Sequence, residues 1–311
     1  MSRRRIVVTG IAGFIGSNLG HYLGEKGYQI VGIDNLSYGV REQVPKQCAF
    51  HQVDIRDKAL GELIDEGDVI IHLAAKNCIA DCQDDPVETA SINVMGTVNV
   101  FEAARRKRAA KVIYAESSAL YEGSTQLPTA ERDVNPRSFY ALSKAASMAF
   151  ADAYARFYGL RTTALRYFCV YGPRQDYRRT IPPVMSAFIL RLARNEAPFI
   201  YGNGNKRRDF IHVDDVNRFH EICITDPRTD GEVYNLGSGE NYSVRDIYDH
   251  VARLMDKDIP PVHKADLPGE AQATLANIDK ARALGWTPQI DLDTGIRTMI
   301  DYLDRQGLLG R

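Results

Sequence analysis

Tyr140 and Lys144 stand four residues apart in Tyr140-Ala141-Leu142-Ser143-Lys144. The surrounding stretch, Pro136 to Phe157, reads as a helix closed by Gly159. Residues i and i+4 share a helix face, so an ammonium group is set beside a phenol. That combination makes a proton-transfer group. Lowering a tyrosine pKa from about 10 to about 7 requires roughly 4 kcal/mol in favour of the phenolate. One cation about 5 Å away, at an effective dielectric near 20, supplies roughly 3 kcal/mol. A second cation would complete the shift. Tyr-x-x-x-Lys also occurs on helices as two solvated residues, so the elements around the pair decide its meaning.

Upstream, Ile6-Val7-Val8 has the character of a buried strand. Gly10-x-x-Gly13-x-x-Gly16 follows at once, and Phe14 to Lys26 carries helical spacing before Gly27. Strand, glycine turn and helix together form the context in which backbone N–H groups and a helix N-terminus approach a pyrophosphate. The next strand, Gln29 to Ile33, ends in Asp34. A carboxylate there accepts hydrogen bonds from an adenosine ribose and repels a 2′-phosphate. The cofactor expected is therefore NAD rather than NADP, and its nicotinamide ring would be the second cation near Tyr140.

The alternation continues through strands at Cys48 to Val53, Val69 to Ile71, Lys111 to Ala115 and Arg161 to Phe168, with a long helix from Pro86 to Arg106. His72, at a strand end, reads as structural. Strands alternating with helices predict an α/β fold with a Rossmann-like doubly wound parallel sheet. Ligands in such sheets lie at the carboxyl ends of the strands, where Asp34, Asp54, Ala74 and Ser117 fall. Beyond Gly172-Pro173 the pattern becomes mixed. It predicts a smaller α/β C-terminal substrate-binding lobe with helices at Ile181 to Arg194, Asp214 to Thr225, Val244 to Met255 capped by Ser243, and Asp293 to about Leu303. Phe199 to Tyr201 reads as a strand, and the last eight residues as loosely ordered. The expected division is 1–169 for the cofactor domain and 170–311 for the lobe, with about 210–240 returning to the first.

Across 311 residues, 39 Lys+Arg against 40 Asp+Glu give a net charge of -1, which carries no global bias toward nucleic acid or anionic membrane. Arg3-Arg4-Arg5 and Arg105-Arg106-Lys107-Arg108 read as solvated ends of elements. The five cysteines are scattered without a Cys-x-x-Cys pair, and the seven histidines form no pair at metal spacing. No metal, nucleic-acid or membrane partner is expected, and the composition suits a reduced, cytoplasmic protein.

The chain resembles the extended short-chain dehydrogenases/reductases, in their NAD-dependent nucleotide-sugar epimerase/dehydratase branch. The resemblance rests on Thr9-Gly10-Ile11-Ala12-Gly13-Phe14-Ile15-Gly16, Asp34-Asn35-Leu36-Ser37-Tyr38-Gly39, Asp54-Ile55, His72-Leu73-Ala74-Ala75 and Asn93-Val94-Met95-Gly96-Thr97. It continues through Ser117-Ser118-Ala119-Leu120-Tyr121, Tyr140-x-x-x-Lys144, Leu165-Arg166-Tyr167-Phe168, Val170-Tyr171-Gly172-Pro173-Arg174, Arg208-Asp209-Phe210 and Tyr234-Asn235-Leu236-Gly237. In motif these are closest to UDP-sugar 4-epimerases. The resemblance implies Ser117, Tyr140 and Lys144 as the catalytic set. It places NAD against Gly10, Gly13, Phe14, Ile15, Gly16, Asp34, Asn35, Ser37, Gly39, Asp54, Ile55, Leu73, Ala74, Ala75, Asn93, Tyr167, Tyr140 and Lys144. A UDP-sugar would meet Ser118, Cys169, Arg174, Phe199, Tyr201, Arg208 and Thr274. Arg208 would hold the diphosphate, Phe199 and Tyr201 would lie along the base, and the sugar would sit in the cleft between domain and lobe.

The two residues after Ser117 sort the reactions. Dehydratases that resemble this chain carry Asp and Glu there, and decarboxylases usually a glutamate at the second; Ser118 and Ala119 can do neither job. Glu116 alternates to the other side of its strand. Elimination is thus disfavoured and 4-epimerisation through a transient 4-keto sugar leads. Three departures leave the sugar open. Cys169 replaces a usual Asn, Leu267 replaces a second diphosphate arginine (with Arg174, Arg178 or Arg179 as possible substitutes), and Thr274 stands where bulk at C2 is gated. UDP-glucose, UDP-N-acetylhexosamines and UDP-uronates all stay open, as do a dehydratase, decarboxylase or reductase. A non-enzymatic NAD sensor fits least, because such proteins tend to lose the tyrosine and lysine. Relatives dimerise through the helices at Asn93 to Arg106 and Tyr140 to Tyr158, so a homodimer is expected.

Overall fold

Strand β1 (Arg5–Thr9) lies between β2 (Gln29–Ile33) and β4 (Val69–His72), which puts the glycine turn at the centre of the sheet. The computed structural model describes residues 4–179, 182–266 and 271–310. With β3 (Ala49–His51), β5 (Lys111–Ser117), β6 (Thr162–Tyr167) and an edge strand at Glu232–Leu236, the sheet has seven strands. Their order, numbering from the far edge, is 3-2-1-4-5-6 and then the Glu232–Leu236 strand. β1 to β6 pair in parallel. Ile6, Val7, Val8, Ile70, Ile71, Val112 and Ile113 are buried, as expected of strands covered by helices on both faces. The order reverses between β1 and β4, and that switch point is where such sheets bind ligands.

Several elements differ from expectation. β3 is shorter than Cys48 to Val53, because it is an edge strand that pairs only with Val31 to Ile33. The long helix expected from Pro86 to Arg106 becomes Pro86–Ala90, a π-helical turn at Ser91–Gly96, and Thr97–Arg106. Asn93 is held from outside that turn, as described below, and π-helical turns are common at functional positions. The helix that carries Tyr140 and Lys144 is Phe139–Tyr158; Ser138 caps it by accepting the Ala141 N–H at 3.1 Å, and Gly159 stops it at φ +67°. The helix after Pro182-Pro183 begins at Val184, since Pro183 is its extended N-cap; Ile181 lies outside the described residues. Ser243 and Asp246 form a capping box on Val244–Met255. Asp291 caps the last helix, Leu292–Arg305. The chain end is packed rather than loose: Leu309 is buried, and the Leu308 N–H bonds the Leu303 carbonyl.

The chain divides into two compact units: residues 1–125, 131–167 and 217–235, and residues 126–130, 168–216 and 236–311. The boundary therefore follows Tyr167, and the returning segment is 217–235. Gln126–Ala130 joins the second unit, because Thr129 exchanges backbone hydrogen bonds with Leu275 and Asn277. The first unit's core gathers Val7, Ile33, Ile70, Phe101 and Val112. The second gathers Met185, Phe188, Ile189, Val251, Ile296 and Met299. No helix among the described residues is long and apolar enough to cross a membrane.

Candidate active site

Gly10 adopts φ +75°, and a Cβ there would lie 2.7 Å from the Ala74 nitrogen. A Cβ on Gly16 would come within 2.1 Å of the Gly10 carbonyl oxygen. Both positions demand glycine, which brings the turn, the start of the helix Phe14–Glu25 and Ala74 into close approach. That helix has no side-chain cap and no acid in its first turn. Gly13, Phe14 and Ile15 thus present the open positive end of a helix, as an anion site requires. Asp34 accepts the Ala12 N–H at 3.0 Å and the Leu36 N–H at 2.8 Å, which lock its carboxylate at the end of β2. Burial pushes its carboxyl upward in pKa, and the two N–H groups oppose this. Each oxygen keeps a lone pair for a ribose hydroxyl. A Cβ on Gly39 would fall 3.0 Å from Asp34 Oδ1, so the loop runs close over the carboxylate. The cradle fits an adenine dinucleotide.

The neighbouring positions are bound to one another. Asn35 donates to Asp54 Oδ2 at 2.9 Å and accepts the Ser37 N–H at 3.0 Å. The Arg56 side chain bonds both oxygens of Asp54 and holds its carboxyl well below the usual range. The Ile55 carbonyl accepts from Asn99 at 2.6 Å. The Leu73 N–H donates to the Thr9 carbonyl and the Ala74 N–H to Thr9 Oγ1; Leu73, Ala74 and Ala75 are all half-buried.

His72 is structural. Thr97 gives its hydroxyl hydrogen to the Asn93 carbonyl at 2.6 Å, so His72 Nε2 must donate to Thr97 Oγ1 at 2.9 Å. The bare Nδ1 then accepts from Thr9 Oγ1 at 2.7 Å. Burial holds this imidazole neutral, with its pKa lowered to about 3. Asn93 is likewise engaged: its oxygen accepts the Lys76 N–H at 2.8 Å, and its amide donates to the Lys76 carbonyl and to Ser143 Oγ. It ties the segment after β4 to the helix Phe139–Tyr158.

On that helix Tyr140 is buried in the first turn, where the macrodipole favours negative charge. Glu122 fixes the turn by accepting from the Ser138 N–H at 2.8 Å and Ser138 Oγ at 2.9 Å. Lys144, one turn on, is buried and donates to the Ala115 carbonyl at 2.9 Å. This brings its ammonium to the end of β5, two residues before Ser117. Burial lowers the Lys144 pKa to about 8, opposed by Glu116 and Cys82. About nine-tenths of it is therefore charged at pH 7. Ser117 Oγ accepts the Ala119 N–H at 3.1 Å, which leaves its own hydrogen and one lone pair free for a substrate oxygen. Ser118 is half-buried beside it. Tyr167 stands opposite Ser117 in the register, and its hydroxyl bonds His220 at 2.9 Å.

In the second unit, Arg208 and Thr274 are close neighbours. The Thr274 N–H donates to the Arg207 carbonyl at 3.1 Å, and Thr274 Oγ1 accepts the Asp209 N–H at 3.2 Å. Arg208 Nη1 bonds the Ala271 carbonyl at 2.8 Å. The Cys169 N–H donates to the Asp209 carbonyl at 3.0 Å, one strand over. Arg174 takes φ +67° and lies 5.9 Å from the Tyr302 ring, while Arg178 and Arg179 both pair with Asp176. Arg191 and Lys264 lie 4.0 and 3.4 Å from the centre of the Phe199 ring, so a base would share that ring with two cations. Tyr201 is half-buried on the same strand. Leu267 lies outside the described residues.

Two groups escaped the sequence reading. Asp209, seen only as part of a motif, is buried and accepts from Ser238 N and Oγ, Gly239 N and Ala276 N at 2.6 to 3.2 Å. It fixes the strand beside Arg208. Glu116 turns away from the site as alternation required, but its buried partner, Arg166, could be found only from the register. For Glu116 the available signal was a carboxylate at the end of an apolar run.

The model of the NAD dependent epimerase/dehydratase family matches residues 6–237. A putative UDP-glucose 4-epimerase of Methanocaldococcus jannaschii is 35% identical over 96% of this chain and 98% of its own length. A UDP-glucuronate 4-epimerase of Thermodesulfobacterium geofontis is 31% identical over 95% of each. The solved UDP-N-acetylglucosamine 4-epimerase of Methanobrevibacter ruminantium superposes with a TM-score of 0.94 at 28% identity, covering 98% of this chain and 100% of that one. Family match, Rossmann-like sheet and dinucleotide cradle agree: the chain belongs to the NAD-dependent epimerase/dehydratase family of extended short-chain dehydrogenases/reductases, and its cofactor is NAD.

Proposed function

We propose that this protein is a UDP-sugar 4-epimerase acting on UDP-glucose and UDP-galactose. The observation that supports the reading is that Ser117 ends β5 and Lys144, on the helix face of Tyr140, donates to the Ala115 carbonyl two residues earlier, while Ser118 and Ala119 supply no second acid or base. Bound NAD+ would supply a reversible hydride acceptor for C4 of the sugar, so that a transient 4-keto sugar can be reduced from either face. Tyr140, as phenolate, removes the proton from O4 and later returns it. Ser117 bonds the same oxygen as alcohol and as ketone, using the hydrogen and lone pair left by its bond to Ala119. The Lys144 charge stabilises the phenolate and would hold the nicotinamide ribose. Arg208 binds the diphosphate, a role suited to a planar multi-donor cation.

Cys169 at the usual Asn position favours UDP-glucuronate as the second reading, and the named relatives span glucose, glucuronate and N-acetylglucosamine. The purified protein, without added NAD, is to be incubated separately with UDP-glucose, UDP-N-acetylglucosamine and UDP-glucuronate and followed by proton NMR. UDP-galactose is the expected product from the first. A 4-epimer from one of the others alone reassigns the sugar; a dehydrated, decarboxylated or reduced product, or no reaction, overturns the reading.

We also propose a homodimer formed through the helices that hold Met95 and Phe139–Tyr158. Met95, Leu142, Phe150 and Phe157 are large apolar side chains left 40–72% exposed there, a pattern typical of association surfaces. Sedimentation should give twice the chain mass, and Leu142→Glu with Phe150→Glu should give one. A monomeric wild-type protein removes the proposal.

A further inference from the structure

The side of β5 turned away from Ser117 carries charge that the proposed chemistry leaves unused. Glu116 and Arg166 are 1% and 2% exposed and stand directly opposite each other in the β5–β6 register. Arg166 Nε donates to Glu116 Oε2 at 2.6 Å, and Arg166 Nη1 donates to the Tyr121 hydroxyl at 2.9 Å. Arg166 Nη2 reaches Met148 Sδ at 3.2 Å. Met148 stands one turn beyond Lys144 on the same helix face, so the pair lies beneath the turn that carries the catalytic cation. Lys144 itself bonds the carbonyl of Ala115, the residue before Glu116. The second carboxylate oxygen, Oε1, is buried without a hydrogen-bond partner of good geometry, with the Tyr114 phenol nearby.

We propose that Glu116 is a positioning residue for the reaction: its carboxylate, oriented by Arg166, keeps the buried Lys144 in its ammonium form. This inference rests on the roles assigned to Tyr140 and Lys144 above. The groups around Lys144 narrow the source of its charge balance. They are Tyr140 one turn back on its own helix, Cys82 from the helix Ile79–Asp84, His72 on β4 and Glu116 on β5, with Arg166 on β6 and Tyr114 in turn beside Glu116. His72 stays neutral, and burial pushes Tyr114 and Cys82 up, so neither ionises near pH 7. Glu116 and Arg166 form the remaining ion pair, and Glu116 is the foremost group opposing the effect of burial on Lys144. Burial pushes the Glu116 carboxyl itself up, and Arg166 draws it back toward the charged form.

The test is a pH titration of Lys144 by NMR in the full chain labelled at lysine Cε, with the signal assigned through Lys144→Met. Glu116→Gln removes the negative charge and should lower the Lys144 midpoint by about one unit. The alkaline limb of the epimerisation profile should move the same way. Glu116→Asp should restore most of the shift, which a purely structural defect would not do. Loss of one member of a buried ion pair can prevent folding, so Glu116→Gln with Arg166→Met is the second variant, with near-ultraviolet circular dichroism as the check. It too should titrate lower than wild type. A midpoint within about 0.3 unit of wild type in a folded variant, or failure of both variants to fold, overturns the proposal. The titration is read without substrate. A shifted Lys144 in a chain that forms no epimer would therefore spare Glu116's role and strike only the proposed reaction.

Discussion

Tyr140→Phe should retain NAD and UDP-sugar and lose epimerisation by about 10²–10⁴-fold, the range expected when a general acid–base group is removed. Tyr140 is only 9% exposed in the first turn of a helix fixed by Ser138 and Glu122. Phenylalanine keeps the ring that fills this position, so no cavity opens and the fold is retained. What disappears is the oxygen able to take the O4 proton. Lys144 cannot replace it, because it is largely protonated at pH 7 and so cannot take a second proton. Turnover is to be measured by NMR of UDP-galactose formation, with melting temperature and bound NAD as controls. Activity above about a few per cent of wild type in a folded, NAD-bound variant would remove Tyr140 from the chemistry.

Gly16→Ala should weaken NAD binding by about 100-fold or more, equivalent to ~3 kcal/mol. The added carbon would stand 2.1 Å from the Gly10 oxygen and 2.8 Å from its carbonyl carbon. Both are backbone atoms, so relief requires the whole turn to move. Gly10 has little freedom to yield, because it already approaches Ala74 and occupies φ +75°. A forced shift of this kind costs roughly 1–3 kcal/mol of stability, and thermal melting should register it. Gly61→Ala is the matched control, since a Cβ there meets nothing within 4 Å. Titration calorimetry with NAD checks the result. Affinity within about threefold of wild type would show that the glycine turn does not cradle the pyrophosphate.

Both predictions concern features whose determinants are short in sequence. Glycine spacing reports steric demand within a single turn, and Tyr-x-x-x-Lys reports one helix face. The Ser243 cap could be located for the same reason: the N–H it accepts, that of Asp246, is three residues on. The helix from Pro86 was extended too far because apolar spacing does not distinguish a regular helix from one interrupted at Ser91–Gly96. That interruption accompanies bonds from Asn93 to Lys76 and Ser143, 17 and 50 residues away. Gln126–Ala130 groups with the second unit through similarly distant partners, since Thr129 bonds Leu275 and Asn277.

Local sequence was enough to predict the alternating α/β class, the dinucleotide turn ending at Asp34, and a phenol and an ammonium on one helix face. These follow from backbone sterics, side-chain periodicity and charge over a few residues. Tertiary structure alone decided which strands neighbour one another, that His72 is a closed hydrogen-bond link, and that Glu116 and Arg166 form a buried pair beneath Tyr140 and Lys144. Those outcomes depend on register between segments distant in the chain, where burial makes each charge's partner, rather than its local sequence, set its state. The phenol and ammonium were legible from their spacing. The charge state of that ammonium is a property of the packed sheet beneath it.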